Sequence, residues 1–237
     1  MRTTFFPVAL ALGLTILAAG SATAAPKKLH APKVSGAWAG ELVAPVVVRA
    51  APTRRARKVV GLKAIGPIGG DETAVLITGS RRVKGVRWVR ILVPKRPNGR
   101  QGWVPADHLR IVRRRTRIEI NRRKRRLALY RGKKRLLSVR AVIGRPGTPT
   151  PKGLHAIAEN INTNAPGSYL GPRVLALTAH SETINSFRGG SGRVAIHGTN
   201  QPGLLGSEAS LGCVRVGNST ILRLSRLAPP GTPVRIV

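Results

Sequence analysis

The apolar residues of this chain come in short runs, and that spacing limits the fold more than any other feature. Val46-Val47-Val48, Val59-Val60-Gly61-Leu62, Ala74–Ile77, Val86–Val93 and Gly102-Trp103-Val104 occupy the first half. Ile118-Glu119-Ile120, Leu127–Tyr130, Leu136–Gly144, Leu175–Thr178, Val194-Ala195-Ile196 and Val234–Val237 occupy the second. Runs this short, rich in Val and Ile and bounded by turn residues, predict strands rather than long helices. The 27 Gly and 18 Pro residues supply the turns. Aromatics are only 3% of the chain, so the core must be built from Val, Leu, Ile and Ala. The segment from Ser219 to Leu227, closed by Pro229-Pro230-Gly231, is the one short helix expected. The fold class is therefore mostly β.

The chain divides into four stretches. Met1-Arg2, an apolar run from Phe5 to Ala18, and Ser21-Ala22-Thr23-Ala24 have the layout of a signal peptide over residues 1–24. Residues 25–40 read as a linker that contains His30. Residues 41–112 hold five strand-like runs, with Arg96-Pro97-Asn98-Gly99-Arg100 as a hairpin turn. Five short strands predict a small barrel with Trp88 and Trp103 in its core and a structural His108. Val48-Arg49-Ala50-Ala51-Pro52, Trp88-Val89-Arg90-Ile91 and the stretch Gly102–Leu109 resemble a bacterial SH3-like domain. Arg113-Arg114-Arg115 marks a boundary, and residues 113–237 form a second β unit. There Arg122-Arg123-Lys124-Arg125-Arg126 reads as a basic hairpin turn, with a grip on polyanions and an unpartnered solvated turn as its two readings.

Net charge is +34, with only eight acidic residues. Such a surface attracts polyanions in a salt-sensitive way. The export signal turns that expectation away from nucleic acid and towards anionic cell-wall polymers or a membrane surface. The basic and aromatic residues also lack the interleaving of an RNA-binding sheet.

Cys213 is the only cysteine. An exported chain with one cysteine cannot form an internal disulfide, which leaves the thiol open to chemistry. His197 lies sixteen residues upstream, at the end of an apolar run. An imidazole beside a thiol accepts its proton during nucleophilic attack. Gly212 and Cys213 offer backbone N–H groups for an oxyanion. The Gly198 carbonyl is placed to fix the imidazole tautomer. Arg215 is expected to brace the loop or to pair with a substrate carboxylate, and His180 to line the cleft or to make a structural bond. Tyr130 and Tyr169 read either as contacts to sugar or peptide or as half-buried strand residues. One Cys and scattered His residues give no metal-ligand spacing, and no cofactor is implied.

His197-Gly198, then Ser210-Leu211-Gly212-Cys213-Val214-Arg215 and Asn218, resemble the signature of the YkuD family of L,D-transpeptidases. The stretch Gly144–Gly153, Ala179-His180-Ser181-Glu182 and Ile196–Asn200 resemble further segments of that family over residues 116–237. The resemblance implies a YkuD-type β-sandwich with short helices, acting on peptidoglycan stem peptides. It implies that Cys213 attacks the third residue of a tetrapeptide stem, that D-alanine leaves protonated by His197, and that an amine of a neighbouring stem resolves the thioester. Water in place of the amine gives carboxypeptidase trimming. Many members carry a second histidine where this chain has Leu211, and an aromatic where it has His155. A basic wall-binding protein with weak or no catalysis is the alternative. Sortases place the histidine much farther upstream, and in NlpC/P60 peptidases the cysteine comes first.

Overall fold

The computed structural model describes residues 26, 28–67, 69–70, 72–186 and 190–237. The expected signal peptide lies outside them. No described helix is long and apolar enough to cross a membrane. The strands are β1 (Ala37–Leu42), β2 (Val46–Arg49), β3 (Lys58–Leu62), β4 (Ala74–Val83), β5 (Val86–Leu92), β6 (Gln101–Pro105), β7 (Leu109–Arg114), β8 (Thr116–Asn121), β9 (Arg126–Arg131), β10 (Lys134–Arg140), β11 (Gly153–Asn162), β12 (Arg173–His180), β13 (Arg193–His197), β14 (Val214–Arg215) and β15 (Pro233–Ile236); α1 spans Asn218–Leu227.

The first seven strands form one sheet in the order β3-β2-β6-β5-β4-β1-β7, with every ladder antiparallel. Val48, Val75, Ile77, Val89, Ile91 and Val104 fill its core. On β4 the intervening Leu76 is also fully buried, because it joins Leu92, Ala37 and Ala156 in a cluster against the second unit. Burial on both faces explains why Ala74–Ile77 reads as a continuous apolar run rather than an alternating one.

The other eight strands run in the order β10-β9-β8-β15-β11-β12-β13-β14. β11 belongs to both halves of this sheet: residues Gly153–Ala156 pair with β15 and Ile157–Asn162 with β12. The sheet folds across β11, so Ile118, Ile120, Leu127 and Leu129 of one half share a core with Ile157, Leu175, Leu177, Val194 and Ile196 of the other. Ile221 and Leu224 close it from α1. Strand alternation then turns Ala176, Ala195 and His197 to the opposite face.

Several expectations need correction. The linker over 25–40 is too long, because β1 begins at Ala37 and pairs with both β4 and β7. Leu29 is also buried in the first core, and its N–H donates to Ser80 Oγ at 2.8 Å. The first unit has seven strands rather than five. β7 carries it through the expected 112/113 boundary to Arg114. Trp88 is buried, whereas Trp103 is half-buried with Arg90 over its ring. The third strand of the second unit stops at Arg140, short of Gly144. β11 was missed altogether, because Glu159 and Asn160 interrupt its apolar pattern.

Candidate active site

β14 pairs in parallel with β13, with Ile196 opposite Val214 and His197 opposite Arg215. One step back along both strands, Cys213 falls beside Ala195. Val214 and Ile196 point into the core, so alternation turns Cys213, Ala195, His197 and Arg215 to the other face together. The cysteine and the histidine that the sequence singled out thus share one side of one sheet.

The loop that carries Cys213 is held from below. Thr150 Oγ1 donates to the Gly212 carbonyl at 2.9 Å and accepts from the Gly144 N–H at 2.9 Å. Ser210 Oγ donates to the Cys213 carbonyl at 2.6 Å and accepts from the Gly212 N–H at 3.1 Å. Gly212 has φ of 115°, a conformation that glycine adopts without strain. Its N–H is therefore engaged by Ser210, and the oxyanion role expected of it does not fit this geometry. Among the described residues the Cys213 N–H makes no such bond.

The His197 ring is buried, and its Nδ1 lies 2.7 Å from the Gly198 carbonyl. A carbonyl only accepts, so the ring proton sits on Nδ1 and Nε2 is left as a base. No side chain fits at Gly198: a Cβ there would lie 2.3 Å from Asn218 Oδ1 and 3.0 Å from the Gly171 Cα. Asn218 Oδ1 in turn accepts from the Thr199 N–H at 2.9 Å. Burial, with a smaller push from the Arg215 charge, lowers the His197 pKa to about 4. Burial pushes the Cys213 thiol up, partly countered by the Ala195 N–H and the Arg215 charge. At neutral pH this sheet face carries an un-ionised thiol and a neutral imidazole.

Arg215 is buried without a carboxylate partner among the described residues. Its guanidinium lies 4.3 Å from the Tyr169 ring centroid, donates to the Tyr169 hydroxyl, and reaches Gln201 Oε1 at 3.3 Å. Among the described residues its Nε has no hydrogen-bond partner. The Tyr169 ring also lies 5.8 Å from the His197 ring. Gln201 is a site residue that the sequence did not single out, and Tyr169, expected as a sugar or peptide contact or a half-buried strand residue, stands outside any strand against Arg215 and His197.

His180 stands apart from this cluster. It pairs with Arg193, two residues from Ala195 along β13. The Asn98 side chain bonds both its N–H and its carbonyl at 2.8 Å, like a strand partner. Burial first, then the charges of Arg193, Arg96 and Lys95, lower its pKa to about 4, against a raising contribution from the Thr178 backbone. His155 is buried with Nε2 at 3.2 Å from the Lys152 carbonyl, away from the reacting pair.

Residues 115–236, just over half of the chain, match the family model of the L,D-transpeptidase catalytic domain, YkuD. The chain belongs to this family. The YkuD protein of Bacillus licheniformis is 34% identical over 94 residues, which cover 40% of this chain and 48% of that protein. That of Bacillus subtilis is 44% identical over 41 residues, covering 17% and 25%. The chain thus spans about half the length of the first relative and a quarter of the second. Among solved structures, the Enterococcus faecium L,D-transpeptidase C442S mutant aligns with a TM-score of 0.40 and 22% identity, over 52% of this chain and 49% of that one. Within this L,D-transpeptidase domain, Cys213, His197, Gly198 and Arg215 all fall in the matched residues.

Proposed function

We propose that this chain is an exported L,D-transpeptidase of the cell wall, with Cys213 as nucleophile and His197 as its base. One observation carries the reading: a lone thiol, an oriented imidazole and an unpaired arginine stand on one sheet face. As the thiol approaches the amide carbonyl of a stem peptide's third residue, its proton passes to His197 Nε2. The Cys213 N–H is the backbone donor available to the oxyanion. The C–N bond to the terminal D-alanine breaks, and the amine leaves with the proton from His197. The thioester keeps the acyl energy until an amine of a second stem attacks, losing its proton to the same ring, and a cross-link between third residues forms. Water in place of that amine yields the trimmed stem. Arg215, buried and lacking an anion, suits the terminal carboxylate of the leaving D-alanine.

The same reading makes residues 1–24 the export signal, residues up to Arg114 an SH3-like unit, and anionic wall polymers a second partner. A cavity of about 640 Å³ behind the Gly144–Pro151 loop gathers Arg122, Arg123, Arg145 and Lys152, which suits such polymers. Incubation with a carbapenem followed by intact-mass measurement tests the catalytic claim. One covalent adduct mapped to Cys213 is expected. A thiol that stays unmodified contradicts it.

A further inference from the structure

The sheet face that carries Cys213 continues into a cavity of about 660 Å³, bounded by both units. Arg193, on its wall, is two positions from Ala195 on one strand face, roughly 7 Å along the chain. Cys213 therefore lies between this cavity on one side and Arg215 with Tyr169 on the other.

The cavity has a definite chemistry. Among the described residues four cations line it, Lys63, Lys95, Arg96 and Arg193, against a single carboxylate, Glu159. Arg193 is ion-paired with Glu159 at 2.6 Å. Arg96 donates to the carbonyls of Ser181, Ile184 and Ser191. Among the described residues Lys63 and Lys95 form no ion pair, and both are exposed at the rim. His180, also on the lining, is only 4% exposed, and among the described residues its Nδ1 has no hydrogen-bond partner. A buried polar atom without a partner is uncommon in a folded protein and calls for an explanation, of which a bound group is one. The excess positive charge selects an anion, and the apolar walls from Leu62, Ile65 and Ala158 select one carried on a small apolar body.

We propose that this cavity is an acidity-selecting subsite: it takes the free carboxylate of the residue preceding the attacked one in the acyl-donor peptide, held by Lys63 and Lys95 over the His180 ring. This rests on the catalytic reading above. The leaving amino acid points to Arg215, and the same ring that protonates it later deprotonates the incoming amine, so the acceptor enters from that side. The retained part of the donor must extend the other way, towards His180. The N-terminal unit then supplies substrate contacts, through Lys63 and the Lys95-Arg96 turn, and is more than a spacer.

Two tetrapeptides test it in the full chain, one with a free carboxylate at its second residue and one with the corresponding amide. The wild type is expected to prefer the acid about tenfold in kcat/KM, the scale of one well-placed charge contact. Lys63→Gln with Lys95→Gln should bring that ratio to about twofold or less, and Lys63→Glu with Lys95→Glu should invert it. In a Cys213→Ala chain that cannot turn over, the acid peptide should bind more tightly than the amide. By NMR titration it should also raise the His180 pKa, as a carboxylate beside an imidazole does. Equal kcat/KM for both peptides overturns the subsite while leaving the catalytic reading intact. If neither peptide reacts and a carbapenem leaves Cys213 unmodified, the catalytic reading fails. Binding to the Cys213→Ala chain then still decides the subsite, with equal affinities overturning it.

Discussion

His197 and His180 stand at two ends of one sheet face, both buried and both held near pKa 4, yet they are built for different work. The His197 ring is fixed by the Gly198 carbonyl and faced by Tyr169. At His180 it is the backbone that is fixed, by Asn98, while among the described residues Nδ1 has no partner. Burial alone therefore does not mark the catalytic histidine. On the proposed reading, a fixed tautomer on the sheet face of the thiol marks the base, and a ring on the wall of a cation-lined cavity marks a binding position.

The strongest way to break this contrast is to exchange the roles. His197→Asn removes the base and should lower turnover of a tetrapeptide by about 10²–10⁴-fold, measured as D-alanine release. His180→Gln should act mainly on KM for the acidic peptide. If His180→Gln costs as much in kcat as His197→Asn, the division between the two ends fails.

Acid should next strike both ends alike. Each ring has a folded pKa near 4 against about 6.5 unfolded, so between those values the unfolded chain binds more protons. The stability that these neutral rings confer is complete above about pH 6.5 and is lost as pH falls through 4. The loss is at most about 3 kcal/mol per histidine. Urea midpoints at pH 7 and pH 4.5 check this, and either single histidine variant should flatten the slope.

Gly198→Ala sharpens the catalytic end. The added Cβ meets Asn218 and Gly171, and a cost of about 1–3 kcal/mol is expected from overpacking, read from the denaturation midpoint. Asn98→Ala is the smallest change. It removes two hydrogen bonds from the His180 backbone, for about 1–2 kcal/mol. Hydrogen exchange should speed at the His180 N–H and remain slow at the Val216 N–H, which bonds the His197 carbonyl.

The catalytic end was the more legible in the sequence. Cys213, His197, Gly198 and Arg215 lie within nineteen residues of one another, and a two-strand parallel pairing suffices to bring them together. The other end depends on contacts between residues more than eighty positions apart. Arg96-Pro97-Asn98-Gly99 reads locally as a hairpin turn, and nothing in it announces that its side chains grip His180 and the loop after it. β11 escaped notice for a related reason. Its Glu159 looks like a surface residue, yet it is buried against Arg193 and the Gly69 N–H. The sequence offers the Gly212 N–H to a substrate, whereas Ser210 already holds that group.

The central claim is that His197 ionises Cys213 during attack rather than beforehand. Carbapenem acylation of Cys213 followed by mass against pH, in wild type and His197→Asn, tests it most directly. The account predicts a wild-type rate supported by the neutral ring from about pH 5 upward, with His197→Asn slower by at least about 100-fold at pH 7 and regaining speed only in alkali, as the thiol, pushed up by burial, itself ionises. Equal rates for the two proteins at pH 7 would contradict it.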